Sequence, residues 1–109
     1  MNFEQARFNM IEQQLRPAKV LNQNVLEVLS VVKREEFVPS AHRRLAFADT
    51  QIPLGGLAGA CMFTPRVEAH ALQALAMKTH EDVLEVGTGS GYMAALLGVH
   101  ADHVWSIEI

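Results

Sequence analysis

Asp82-Val83-Leu84-Glu85-Val86-Gly87-Thr88-Gly89-Ser90-Gly91-Tyr92 runs an apolar segment directly into a glycine turn. Asp82 to Val86 reads as a short buried strand. Tyr92 to Val99 has the composition of a helix. After Ala101-Asp102-His103, the segment Val104-Trp105-Ser106-Ile107-Glu108-Ile109 is β-branched and aromatic, the composition of a second strand. A strand, a turn, a helix and a strand in about thirty residues form a βαβ unit, which makes the two strands parallel.

The glycines of this turn have separate physical tasks. Gly87 allows the sharp departure from the strand, Gly89 lets backbone approach a ligand, and Gly91 lets the following helix pack against the strand. Backbone N–H groups at the helix start are then free to face a bound molecule. Glu108 lies at the tip of the second strand, about 20 residues after Gly87, where a carboxylate accepts hydrogen bonds from ribose hydroxyls. Together these features predict a nucleotide-type cofactor site.

The spacing narrows the cofactor. The turn is G-x-G-x-G rather than the G-x-G-x-x-G of a dinucleotide pyrophosphate site, and no lysine follows as in a phosphate-binding P-loop. This favours S-adenosylmethionine over a nicotinamide dinucleotide. Glu85, just ahead of the turn, fits the same ligand, because a carboxylate there meets its cationic end directly or through water. The predicted cofactor-binding set is Glu85, Gly87, Thr88, Gly89, Ser90, Gly91 and Glu108.

Upstream of the strand the pattern is helical. Phe3, Ala6, Met10 and Ile11 share an apolar side over residues 3 to 15, opposite Gln5, Asn9, Glu12 and Arg16, and Pro17 stops that helix. A second helix begins after Asn22 or Asn24, with Val25, Leu26, Val28, Leu29 and Val32 on its core face. Its end, Lys33-Arg34-Glu35-Glu36, reads as a solvated charge run. Pro53, Gly55, Gly56 and Gly59 break up Ala46 to Phe63, which reads as a long ordered loop of the kind that carries function. Thr64-Pro65 then caps a helix running to about Met77, with Ala71, Leu72 and Leu75 inward and Arg66, His70 and Gln73 outward.

Composition sets limits on function. Half of the 109 residues are apolar, as in a globular chain, and the net charge of −3 offers no electrostatic basis for nucleic-acid binding. No apolar run is long enough to span a bilayer, and Met1 to Arg16 lacks the character of a signal peptide or anchor. Cys61, the single cysteine, forms no internal disulfide and points to the cytoplasm. It reads as a small buried filler rather than a nucleophile, having no basic partner in sequence. His42, His70, His80, His100 and His103 do not cluster with it at zinc-ligand spacing, so no metal site is expected. His42, Arg43 and Arg44 form a small basic group that reads as solvated surface rather than as a contact for a carboxylate substrate. Asp49 reads as a turn residue or a shaper of the substrate site. Tyr92 and Trp105 read as core or packing residues rather than as platforms for stacking a cofactor.

The stretch Val83 to Tyr92 resembles the first cofactor motif of protein-L-isoaspartate O-methyltransferases. Met10-Ile11-Glu12-Gln13-Gln14-Leu15, Val32 to Pro39, and Ala48-Asp49-Thr50-Gln51-Ile52-Pro53-Leu54-Gly55 resemble family segments in the same order. The resemblance implies an α/β fold, the N-terminal part of a Rossmann-like class I methyltransferase. A helical region precedes the first βαβ, with S-adenosylmethionine as methyl donor. It also implies a protein-repair activity, methyl esterification of isoaspartyl carboxylates on a damaged protein or peptide. The alternatives are a relative that binds the cofactor but acts on another substrate or none, and a non-catalytic structural or interaction fragment without affinity for the cofactor.

Two departures stand out. Ahead of the helix the family usually carries Thr-hydrophobic-Ser, and that serine is its assigned active-site residue. Here the sequence is Cys61-Met62-Phe63-Thr64-Pro65, with Phe63 at the serine position. A phenyl ring makes no hydrogen bond to a carboxylate, so Thr64 is the nearby catalytic candidate, with helix capping its competing role. The second departure is length, since the family continues with further strands and helices. Residues 1–64 then form an N-terminal helical and loop region and 65–109 the first part of the cofactor domain. The expectation is a portion of a longer protein, or a shortened product, rather than a self-sufficient enzyme. Otherwise another chain meets the exposed sheet edge by self-association.

Overall fold

The computed structural model describes residues 1–55 and 59–108. Gly56 and Ile109 lie outside the described residues. Helix α1 spans Phe3–Met10, and the Asn2 side chain caps it by accepting from the Gln5 N–H at 3.1 Å. The helical path continues through Ile11–Leu15 in a wider π turn, closed by the Arg16 N–H on the Ile11 carbonyl. The helix thus ends just before Pro17, as expected, although its last turn is not α-helical. Helix α2 spans Gln23–Val31. Asn22 rather than Asn24 is its cap, accepting from the N–H groups of Asn24 and Val25 at 2.9 and 3.2 Å. Leu26, Val28 and Leu29 are buried beneath it.

The charge run after α2 is a correction. Arg34 and Glu35 are buried, 1% and 7% exposed, within a 3-10 turn at Arg34–Phe37. Ion pairs across the fold explain this, joining Arg7 to Glu35 and Arg34 to Glu68. A mixed-sign charge run is as compatible with buried pairing as with solvation, and the partners are at least 28 residues away in sequence. A second 3-10 segment covers Ser40–Leu45, where Arg43 and Arg44 are exposed.

The loop contains a small antiparallel pair, β1 at Ile52–Pro53 and β2 at Cys61–Met62, with Ile52 opposite Met62 and Pro53 opposite Cys61. Ile52 and Met62 point into the core. The alternation therefore turns Cys61 outward, and it is exposed rather than a buried filler. Asp49 pairs at 3.3 Å with Arg66 on the surface.

Helix α3 spans Pro65–Leu75 and ends where Ala76 turns left-handed, φ 48°, two residues before the expected Met77. Its buried side is Pro65, Glu68, Ala69 and Leu72. Leu72 faces inward as expected, but Ala71 and Leu75 are exposed. The stripe is rotated because Arg34 draws Glu68 inward. Gln73, expected outward, is half-buried and acts as a clamp. Its side-chain oxygen accepts from the Leu21 and Asn22 N–H groups at 2.9 and 3.0 Å, and its amide donates to the Lys19 carbonyl at 3.1 Å.

Strands β3 (Asp82–Val86) and β4 (His103–Ile107) are parallel, with Leu84 opposite Trp105, Glu85 opposite Ser106 and Val86 opposite Ile107. Helix α4 (Tyr92–Gly98) crosses between them and buries Tyr92, Leu96 and Leu97. One apolar core joins α1, α2, α3, α4 and the loop, with Val83 and Val104 packed against it. The other sheet face is open. Leu84, Val86, Trp105 and Ile107 are 64%, 59%, 54% and 52% exposed, so β3 is not a fully buried strand and Trp105 is not a core residue. Trp105 instead stacks on His103. Among the described residues, no helix is long and apolar enough to cross a membrane.

Candidate functional site

The turn at 87–91 takes its shape from backbone that side chains resist. Gly89 and Gly91 have φ of 59° and 86°, the left-handed region that favours glycine. A Cβ on Gly91 would meet only Phe37 Cδ1 at 3.9 Å, an ordinary contact. Glycine is therefore required there by the backbone turn into α4, rather than by close packing on the strand.

Side-chain hydrogen bonds tie the turn to both strands. Ser106 donates to Glu85 Oε1 at 2.7 Å, and Thr88 Oγ1 lies 2.6 Å from Ser106 Oγ. A hydroxyl has one proton, so Thr88 is the donor to Ser106 and the chain runs Thr88 to Ser106 to Glu85. The Gly89 N–H donates to Glu108 Oε2 at 3.1 Å, which places the acid of β4's tip against the turn. Ser90 Oγ accepts from the Tyr92 N–H at 3.2 Å, and the Gly91 N–H donates to the Thr88 carbonyl at 3.1 Å. The structure thus brings together Glu85, Gly87, Thr88, Gly89, Ser90, Gly91 and Glu108 around one turn. Ser106 was not foreseen from sequence. Its signal is the strand register, which sets it opposite Glu85.

A pocket of about 230 Å³ opens beside the turn. Residues 85–90 line one side, and Leu54, Cys61, Met62, Phe63, Glu68 and Met93 line the rest. Phe63 is 59% exposed at its edge. Thr64 is adjacent in sequence but not in the lining, and its hydroxyl accepts from the Val67 N–H at 3.3 Å as the cap of α3. Among the described residues, no group of three or more His, Cys, Asp or Glu side chains comes together as a metal site.

Behind the pocket lies a polar cluster that the sequence did not reveal. Arg34 donates to Glu68, to the Ala46 carbonyl, and to the Phe63 carbonyl at 2.9 Å. Its guanidinium lies 4.8 Å from the Tyr92 ring centroid. Burial pushes the Glu68 carboxyl above its usual range, outweighing the pull of Arg34. Burial likewise pushes the Tyr92 phenol up to about 12, and its hydroxyl has no hydrogen-bond partner among the described residues. Arg7 shows the opposite balance: burial lowers its affinity for a proton, but Glu35 and Glu4 together raise it.

A parallel βαβ with a glycine turn, an acid ahead of it and an acid at the next strand tip defines the N-terminal part of a Rossmann-like class I methyltransferase fold. The chain superposes with a TM-score of 0.75 on a Plasmodium falciparum structure described as a protein-L-isoaspartate O-methyltransferase in complex with S-adenosyl-L-homocysteine. That match covers 99% of this chain and 49% of the other at 18% identity. A second protein-L-isoaspartate O-methyltransferase structure gives a TM-score of 0.72 at 20% identity, covering 96% of this chain and 33% of the other. In sequence, the chain is 43% identical to protein-L-isoaspartate O-methyltransferase 2 of Anaeromyxobacter sp. (strain Fw109-5), over 97% of this chain and 43% of that protein. It is 41% identical to protein-L-isoaspartate O-methyltransferase of Syntrophus aciditrophicus (strain SB), over 97% of this chain and 48% of that protein. The family model of protein-L-isoaspartate(D-aspartate) O-methyltransferase matches residues 5–108. The chain belongs to that family, and it spans less than half the length of each of these two curated relatives.

Proposed function

We propose that this protein binds S-adenosylmethionine at the 85–91 turn and Glu108 and takes part in methyl esterification of isoaspartyl carboxylates in damaged proteins. The observation that carries this reading is the contact between Glu108 and the Gly89 N–H across the turn. An acid at the tip of β4 beside the N–H of the turn supports a joint role for the two in holding a ribose. The donor set fits the cofactor. Carboxylates suit its hydroxyls and its cationic end, whereas a pyrophosphate would need positive charge that the lining lacks among the described residues.

The bound cofactor supplies an activated methyl group. The residues of this chain hold it, orient it and shape the space above it. An acceptor carboxylate is already a competent nucleophile at neutral pH, so the site needs position and exclusion of water more than a general base. Calorimetry with S-adenosylmethionine, followed by a methyl-transfer assay on an isoaspartyl peptide and its aspartyl control, tests the reading. Cofactor binding with transfer to the isoaspartyl peptide supports it, and absence of cofactor binding overturns it.

Phe63 favours a second reading, a methyltransferase of the same fold acting on another acceptor. A phenyl ring at the pocket edge offers an acceptor apolar contact in place of a hydroxyl's hydrogen bond. Cofactor binding without transfer to the isoaspartyl peptide distinguishes it. Thr64 retains a place in the proposal as the hydroxyl next to Phe63, with capping as its demonstrated contact. The boundary between residues 1–64 and 65–109 is proposed at this cap. The cytoplasm is the proposed location, from the single thiol. Self-association through the exposed edge of the two-stranded β3–β4 sheet is proposed, with the four exposed apolar residues of the open face adding to the contact.

A further inference from the structure

The pocket beside the glycine turn is lined by one acid that its sequence motif does not account for. Among the described residues its charged lining is Glu85 and Glu68, with no lysine, arginine or histidine beside them. Glu85 comes from the strand leading into the turn. Glu68 comes from a separate element, the first turn of α3, and is 3% exposed. A helix glutamate belongs in solvent unless something holds it inside. Arg34 does so from behind, engaging one carboxylate oxygen while lying outside the pocket lining. Arg34 is itself anchored by the Ala46 and Phe63 carbonyls and the Tyr92 ring. Burial still outweighs this pairing at Glu68, so the carboxylate gains from further positive charge on its pocket side.

We propose that Glu68 is a cofactor-positioning acid. With Glu85 it receives the positively charged end of the methyl donor and favours the sulfonium form over the neutral thioether left after transfer. The inference rests on the cofactor reading above and adds a residue from α3 to that site. The physical consequence is directional. Loss of the methyl group removes the sulfonium charge, so the same acid holds the product less tightly than the donor.

Glu68→Gln is the informative substitution. It preserves length and an acceptor for Arg34 but removes one negative charge. Calorimetry with S-adenosylmethionine and with S-adenosylhomocysteine reads the effect on charge without depending on turnover. The unsubstituted protein is expected to bind the sulfonium form more tightly. In Glu68→Gln that affinity falls about tenfold, while affinity for the thioether changes less than about twofold. Equal losses for the two ligands, or no loss, overturn the role of Glu68 and leave the cofactor reading standing. Failure of the unsubstituted protein to bind either ligand overturns both. If Glu68→Gln does not fold, the affinity ratio decides in the unsubstituted protein and in Glu68→Asp, which keeps the charge. A preference for the sulfonium form in both supports the inference, and its absence in either overturns it.

Discussion

Arg34 gathers two backbone carbonyls, a carboxylate and an aromatic face within the reach of one guanidinium. Removing it as Arg34→Ala leaves the Glu68 carboxyl, two carbonyls and the Tyr92 ring without their partner. The expected cost is about 3–5 kcal/mol, measured by urea denaturation. Glu68 adds a pH dependence whose sign follows from its raised pKa. The folded state holds the proton more tightly, so this group's contribution is complete below about pH 4.5 and is lost as pH rises through the folded value. Tyr92 offers a direct spectroscopic test, being the sole tyrosine. Its absorbance should titrate near 12 in the folded protein and move toward 10 in denaturant, with the stability it contributes fading over that interval. Tyr92→Phe removes a buried hydroxyl that has no hydrogen-bond partner among the described residues. It should leave stability unchanged or raise it by up to about 1 kcal/mol in the same denaturation assay.

At the scale of elements, α3 is the piece that joins the N-terminal helices to the site. Thr64 caps its start, and Gln73 clamps its far end to the turn before α2. Thr64→Ala should cost about 1 kcal/mol of stability, read by thermal melting, with any methyl transfer per folded molecule retained. A loss of turnover beyond the unfolded fraction would instead place that hydroxyl in catalysis. Gln73→Ala removes three hydrogen bonds of a half-buried side chain and should cost about 1–2 kcal/mol. Amide exchange at Leu21 and Asn22 should quicken selectively, since their N–H groups lose their acceptor. The helices and strands were legible in sequence because each has its own period and its own stop. Pro17, Asn22, Thr64-Pro65 and the glycine turn all act over a few residues. The facing of α3 was not legible, because the stripe that looked apolar was overridden by an ion pair with a residue 34 positions away.

At the scale of the whole molecule, one sheet face is covered by helix and core, and the other presents Leu84, Val86, Trp105 and Ile107 to solvent. Contiguous apolar surface of this kind drives association. The proposed self-association should appear as a concentration-dependent mass in sedimentation. Trp105 is the sole tryptophan, so its emission should shift to the blue as the face becomes covered. Leu84→Glu, in the middle of that face, should hold the protein monomeric and keep the emission red. An unchanged mass across a hundredfold range of concentration would refute the association.

By itself, the sequence determined the βαβ unit, the glycine turn, the acids at 85 and 108, and the family resemblance. Each of these is written in short-range spacing, where a strand, a turn or a cap depends on neighbours a few residues apart. Only the tertiary structure decided the rest. It buried Arg34 and Glu35 out of a run that looked solvated, turned Cys61 outward by strand alternation, and set Ser106 between Thr88 and Glu85 by register. It also brought Glu68 to the pocket. The physical reason is common to all four. Burial and pairing are properties of where distant segments meet, and a charged side chain looks the same in sequence whether water or a partner surrounds it.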